Sequence, residues 1–270
     1  MPIESICDHA IHSALEKQPP RSKDGPFFTE EELLSITHRP KHIAIIPDGN
    51  RRWSHQHNVP YVKGYLEGAQ TIKETALAAK ELSISVMTVY SFSTENWNRP
   101  PEETSTLMRL FDIHLNYYAE SLSHAGIRLH VIGDIPNLPK FLQATIKNVS
   151  QKTSSGTALD LVFAMNYGGR DELVRAFKKL ITLYHEGKLS SISEETISKA
   201  LDTSLWPDPD LIIRTSGEQR LSNFLLWQSN YAEVHTDDAF WPDFTPKNLF
   251  NAVLSFQSRK RRCGGGHAYG

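Results

Sequence analysis

Residues 48–52, Asp48-Gly49-Asn50-Arg51-Arg52, follow directly on the apolar run of residues 43–46. An Asp-Gly pair is enough for a tight turn, and two adjacent guanidinium groups add nothing to one. Arginine does offer a planar fork of donors that matches phosphate oxygens. Gly49 lets the backbone approach a bulky anion, and the N–H groups of residues 49–52 can form a cradle for it. Asp48 would repel a polyphosphate unless a divalent cation lies between them. Mg²⁺ held by one or two carboxylates plus substrate phosphates is the common solution.

Three further stretches carry the same kind of chemistry. Residues 91–100, SFSTENWNRP, bring Ser93, Thr94, Glu95, Asn96, Trp97 and Arg99 into one short segment. Residues 166–170 read NYGGR. Residues 214–223, RTSGEQRLSN, set Arg214 and Arg220 around a Ser-Gly turn, followed by Leu221 and Ser222. Each has a plain reading when taken alone. The arginines are solvated, Asn98 is the N-cap of a following helix, and Ser222 caps an apolar helix over residues 224–227. Trp53 and Trp97 are alternatively positioned to pack on an apolar substrate. The set is harder to dismiss than its members.

What must position these segments is a series of buried strands. Apolar or β-branched runs occur at residues 43–46, 86–92, 127–132, 159–164 and 211–213. Between them lie stretches with helical spacing. Residues 67–82 place Ala69, Ile72, Ala76 and Ala79 on one face. Residues 102–123 place Leu107, Leu110, Phe111, Leu115, Tyr118 and Leu122 on another, with Pro100-Pro101 suited to the start. Residues 171–185 repeat the pattern with Leu173, Phe177, Leu180 and Tyr184, and residues 245–261 with Leu249, Val253 and Phe256. Strand–helix alternation implies βαβ units and a mainly parallel sheet flanked by helices, in a single α/β domain. Ligands of such sheets sit outside the carboxyl ends of the strands. All four polar stretches are strand exits, so they are expected on one edge of one sheet.

Bulk properties remove other classes. The chain has 270 residues, 39% apolar and 22% charged, with a formal net charge of -2, so nothing global points to nucleic acid. Cys7 and Cys263 make neither a metal-ligand spacing nor a disulfide framework, which implies a reducing, cytoplasmic setting. No apolar run reaches the length of a membrane span, and residues 1–25 lack a signal-peptide core. No GxxxxGK[ST] loop is present. His185-Glu186 has Leu189 where an HExxH zinc site needs its second histidine. The basic run 259–262 fits a helix C-terminus better than an RNA platform, since no aromatics interleave with it.

Taken together, the loops resemble the cis-prenyltransferases of the undecaprenyl diphosphate synthase type. The matching stretches are IIPDGNRRW (45–53), YSFSTENWNRP (90–100), NYGGRDEL (166–173), DLIIRTSGEQRLSNFLLWQSNYAE (210–233), FWPDF (240–244) and RRCGG (261–265). The resemblance implies an arm and linker over residues 1–40, a catalytic domain over 41–265 and a tail over 266–270. It implies successive addition of isopentenyl diphosphate to an allylic diphosphate, usually farnesyl diphosphate, with each new double bond cis. The product is a long polyprenyl, such as undecaprenyl, diphosphate that serves as a lipid carrier in cell-wall synthesis. Asp48 corresponds to the aspartate that holds Mg²⁺, and Glu233 to the second acidic ligand. Gly49, Asn50, Arg51, Arg52 and Trp53 correspond to the allylic diphosphate loop. Ser93, Thr94, Glu95, Trp97 and Arg99 correspond to the segment over the substrates. Arg214, Arg220, Leu221 and Ser222 fall at the isopentenyl diphosphate site. Asn96 matches the residue proposed as proton acceptor, although a neutral amide is a weak base and orienting a diphosphate oxygen is the alternative. The resemblance also implies a homodimer, product release at a membrane surface, and an apolar product tunnel between the sheet and the helices 67–82 and 102–123. Ser91 lies on the tunnel wall and Leu159 toward its floor.

The sequence departs from the family at residues 61–65, YVKGY, where Tyr61 and Tyr65 replace an arginine and a histidine that contact diphosphate. Lys63 and the Tyr65 hydroxyl are the candidates to fill that gap. A second reading is a non-catalytic partner subunit, suggested by Arg262-Cys263-Gly264 near the C-terminus. The presence of Asp48, Arg214, Arg220 and Glu233 ranks it below the enzyme.

Overall fold

A computed structural model describes residues 25–261. The expected arm before residue 25 and the segment 262–270, with both cysteines, lie outside the described residues. Six strands, β1 (His42–Ile46), β2 (Val86–Ser93), β3 (Ile127–Ile132), β4 (Leu159–Tyr167), β5 (Leu211–Arg214) and β6 (Glu233–Thr236), form one sheet in the order β3-β4-β2-β1-β5-β6. Every pairing is parallel. β1 is buried at all five positions. That is why it reads as a continuous apolar run rather than an alternation: both faces of a parallel sheet are covered. Ile43 and Ile45 face the larger core cluster, and Ala44 and Ile46 the smaller one on the opposite face, as a side-chain period of two requires.

Helices α1 (Glu30–Ser35), α2 (Asn50–Gln56), α3 (Tyr61–Glu81), α4 (Pro101–His124), α5 (Lys140–Lys152), α6 (Gly169–His185), α7 (Glu194–Ala200) and α8 (Pro246–Gln257) complete the described chain. α3, α4, α5 and α8 supply the larger core. Pro101 takes the first position of α4, with Glu102 and Glu103 in its first turn, a favourable pairing with the helix dipole.

Four local expectations are corrected. α3 begins six residues before residue 67, because Gly64 does not end it. A Cβ at Gly64 would collide with the Asn50 carbonyl oxygen and Ser54 Oγ, so the glycine lets α2 and α3 touch. Pro100, not Asn98, is the N-cap of α4; Asn98 closes a 3₁₀ turn, Thr94–Asn98. No helix forms over residues 224–227. Ser222, Asn223 and Leu225 have φ of 51, 65 and 44°, which fold the segment into successive turns, and Ser222 Oγ is bound by Arg214 instead. α6 buries Ala176 and Leu180, but Phe177 and Tyr184 point to solvent with Val174 and Ile181. Strand β6 carries no apolar run because it is a polar edge strand.

Candidate active site

The exit of β1 is held from two later parts of the chain. Thr215 Oγ1 accepts from the Asp48 N–H at 2.8 Å and donates to the Asp48 carbonyl at 2.8 Å, and the Trp241 N–H donates to the same carbonyl at 2.9 Å. Gly49 takes φ 102°, and a Cβ there would stand 2.7 Å from Phe240. The Asn50, Arg51 and Arg52 N–H groups therefore open α2 with no intrahelical partner.

The Asp48 carboxylate is the hub of the charged groups. Its Oδ1 accepts from the Gly49 N–H at 2.7 Å and from Arg52 at 3.2 Å, and its Oδ2 from Arg214 at 2.7 Å. Burial pushes its pKa up. The Arg214 bond and charge, the Arg52 charge and the Gly49 N–H outweigh this and hold it below the usual carboxylate value. The Arg214 side chain is only 5% exposed. Its guanidinium also donates to Ser222 Oγ at 2.7 Å and to the Arg220 carbonyl, while Nε is buried without a protein partner. Arg52 donates to Ser216 Oγ at 2.5 Å and pairs with Glu218 at 3.1 Å; the second oxygen of Glu218 pairs with Arg220. On the other side Glu103 joins Arg51 (3.4 Å) and Arg99 (3.3 Å), and Arg99 donates to Tyr65 Oη at 3.0 Å. Asp48, Glu103 and Glu218 thus link five arginines, of which Arg51, Arg52 and Arg99 line one opening. Glu103 and Glu218 were not singled out by sequence reasoning. The signal for Glu103 was its i,i+4 spacing from Arg99.

The opening leads into a cavity of about 250 Å³ between the sheet and helices α3 and α4. Asp48, Gly49, Asn50, Arg51, Arg52, Tyr65, Ser91, Asn96 and Arg99 line its polar end. Ala69, Ile72, Leu107, Leu110, Phe111, Phe163 and Met165 continue it, and Leu122, Leu129 and Leu161 line it further in. Ser91 is thus on the wall; Leu159 is buried core and not part of the lining. The Asn96 amide oxygen accepts the Ser93 N–H at 3.0 Å, so what it has left to offer is the Nδ2 donor. Burial raises the Tyr65 pKa, against the Arg99 charge, and the hydroxyl keeps its proton.

Other expected site residues support the opening without lining it. Thr94 packs at Gly168, Glu95 accepts from Asn223 at 2.7 Å, and Trp97 donates to Asn166 at 2.8 Å. With Ser93, which caps the 3₁₀ turn, they join the exit of β2 to that of β4. Trp53 does not face the cavity: it stacks on His57 and donates to Asp243 at 2.8 Å. Leu221 packs against the smaller core cluster. Lys63 pairs with Glu67 at 2.7 Å and is not part of the lining, so the gap left at residues 61–65 falls to Tyr65. The structure does not bring Glu233 to Asp48. Glu233 pairs in register with Leu211, three residues before Arg214, about 10 Å back along the sheet, and bonds Arg259 at 2.8 Å. Among the described residues no three His, Cys, Asp or Glu side chains gather as a metal site. The basic C-terminal run is also partly spent on ion pairs, Arg259 with Glu233 and Arg261 with Asp210.

A ring of arginines on the carboxyl edge of a parallel sheet, opening straight into an apolar cavity, defines a site for molecules with a polyanionic head and an apolar body. The chain belongs to the undecaprenyl diphosphate synthase family of prenyltransferases: the family model described as putative undecaprenyl diphosphate synthase matches residues 46–264. It is 46% identical over 241 residues to an isoprenyl transferase of Chlamydia pneumoniae, covering 87% of this chain and 96% of that protein. It is 44% identical over 228 residues to the ditrans,polycis-undecaprenyl-diphosphate synthase ((2E,6E)-farnesyl-diphosphate specific) of Micrococcus luteus, covering 84% and 92%. Among solved structures, lavandulyl diphosphate synthase from Lavandula x intermedia in complex with dimethylallyl diphosphate matches with TM-score 0.80 at 33% identity, covering 83% of this chain and 97% of that one. A probable undecaprenyl diphosphate synthase from Campylobacter jejuni matches with TM-score 0.72 at 33% identity, covering 84% and 100%.

Proposed function

We propose that the chain is a Mg²⁺-dependent cis-polyprenyl diphosphate synthase. It extends farnesyl diphosphate with isopentenyl diphosphate to a long-chain, undecaprenyl-type carrier. The observation that carries the reading is the continuity of the arginine-ringed opening with the apolar cavity. In this reading the allylic diphosphate rests on the N–H groups that open α2, beside Arg51, Arg52 and Arg99, with its prenyl chain in the cavity. Isopentenyl diphosphate takes Arg214, Arg220 and Ser222. The allylic carbon–oxygen bond breaks, a carbon–carbon bond forms, and a proton leaves the isopentenyl carbon skeleton for a diphosphate oxygen that Asn96 Nδ2 orients. Positioning two anions and stabilising the one that departs are the main sources of rate.

A single carboxylate, Asp48, whose counter-charges come from Arg52 and Arg214, suits an ion that takes most of its ligands from water and substrate. Mg²⁺ bound there would neutralise charge on the departing diphosphate. Glu233 of the same chain is too far along the sheet to share that ion. Replacement of Asp48 by Ala is expected to abolish incorporation of labelled isopentenyl diphosphate, and unchanged turnover would sink the mechanism. The exposed stripe Val174, Phe177, Ile181 and Tyr184 on α6 supports a homodimer, which sedimentation of the wild type against a Phe177→Glu/Ile181→Glu variant tests. Among the described residues no helix is long and apolar enough to cross a membrane. In this reading the enzyme meets the bilayer from the cytoplasmic face during product release.

A further inference from the structure

Partway along the cavity its lining changes character. On α4 the apolar Leu107, Leu110 and Phe111 give way to His114 and Tyr118 before Leu122 continues the row. At ~1.5 Å of rise per residue, His114 lies about 10 Å beyond Leu107. The two rings are nearly parallel, 4° apart, with centroids at 6.1 Å. Both are fixed. Tyr118 Oη donates to Gln70 Oε1 at 2.8 Å, and Gln70 Nε2 donates to Glu74 Oε1 at 2.9 Å, a bracket reaching over from α3. Lys73 Nζ stands 5.3 Å from the Tyr118 ring centroid. His114 is buried, with its Nε2 lacking a protein partner, and burial lowers its pKa to about 4, so the ring is neutral. Past these rings the cavity is apolar again, at Leu122, Leu129 and Leu161.

We propose that His114 and Tyr118 form a shelf that sets the length at which the growing prenyl chain stops. The inference rests on the reading of the cavity as the product channel. A hydrocarbon passing the shelf crowds Tyr118, and displacing it breaks its bond to Gln70 and leaves two buried polar groups unpaired. It must also pack against the imidazole, whose polar edge hydrocarbon cannot satisfy. Space exists beyond the shelf, so the rings narrow the channel without closing it. His114 and Tyr118 are therefore specificity-determining residues that act on chain length, away from the reacting carbons.

The test uses the full chain with Mg²⁺, farnesyl diphosphate and labelled isopentenyl diphosphate, with products dephosphorylated and sized by chromatography. Tyr118→Leu and His114→Ala are each expected to lengthen the dominant product by at least one five-carbon unit. Gln70→Leu removes the bracket but leaves both rings, and is expected to give a mixture of wild-type and longer products. If Tyr118→Leu fails to fold, His114→Ala and Gln70→Leu decide the matter. Active variants whose products keep the wild-type length would overturn this inference alone. A wild-type chain that makes no product would overturn the reading of the site as well.

Discussion

Lowering the pH from 7 to 5 should destabilise this fold through His42, the first residue of β1. The ring is 1% exposed. Nδ1 lies 2.7 Å from the Pro207 carbonyl, which makes it the N–H donor, and Nε2 lies 2.8 Å from Thr88 Oγ1. As a neutral ring both nitrogens are satisfied. Burial lowers its pKa to about 4, against the opposing pull of the Pro207 carbonyl and the Asp210 charge. A histidine depressed in the folded state contributes stability that is present above its unfolded value of about 6.5 and is lost as the pH falls towards 4. The linkage relation gives a total loss of about 3.4 kcal/mol in the acid limit, of which about 2 kcal/mol falls between pH 7 and pH 5. Glu172 works in the opposite sense, since burial raises its pKa and acid then favours the fold. A comparison in which both proteins carry Glu172 removes that contribution. His42→Asn retains a donor near Pro207 and does not titrate. It should be less stable at pH 7 by about 1–3 kcal/mol, because Thr88 loses its partner. Urea unfolding at the two pH values is the assay. The wild type should lose about 2 kcal/mol more than the variant on acidification, and equal losses would refute the reasoning.

Tyr65→Phe removes the hydroxyl that accepts from Arg99. At about 1.5 kcal/mol for a bond to a charged group, the KM for the allylic diphosphate should rise roughly tenfold, and steady-state kinetics with each substrate varied in turn checks this. Gly64→Ala forces α2 away from α3, at a cost of about 1–3 kcal/mol. Thermal unfolding measures that cost, and activity should fall with it because α2 carries Arg51 and Arg52. Ser91→Leu enlarges a small residue on the cavity wall and should shorten the product, as read by the same chromatographic sizing.

The sheet was legible because its parallel strands are buried on both faces: residues 43–46 and 211–213 are uninterrupted apolar runs that coincide with β1 and most of β5. β6 was not, since Glu233, Val234, His235 and Thr236 form a partly exposed edge with no apolar signature. The site was legible as strand-exit loops, and Asp48, Arg52 and Arg214 do meet. What a one-dimensional reading lacks is direction. It assigned Trp53 to the substrate where the ring instead turns to Asp243, and it joined Glu233 to Asp48 without the register that separates them. Glu103 and Glu218 were missed for a related reason. Acids beside arginines look like solvated charge until the pairs are seen to bracket one opening.

The position of β1 in the sheet has a consequence for biosynthesis. Its neighbours are β2 and β5, and the groups that clamp Asp48 come from Thr215 and Trp241. On a ribosome, β1 and β2 emerge early, while β5 follows only after most of the chain has been made. Until then one edge of a strand buried at all five positions has no partner, and its apolar residues rely on whatever else covers them. Long-range parallel pairing of this kind is slow and exposes unpaired strand edges while it waits. The residues that gather the substrate are therefore among the last to find their places, and a nascent chain stalled before residue 211 would carry a complete copy of the 48–52 loop without the Arg214, Thr215 and Trp241 groups that clamp Asp48.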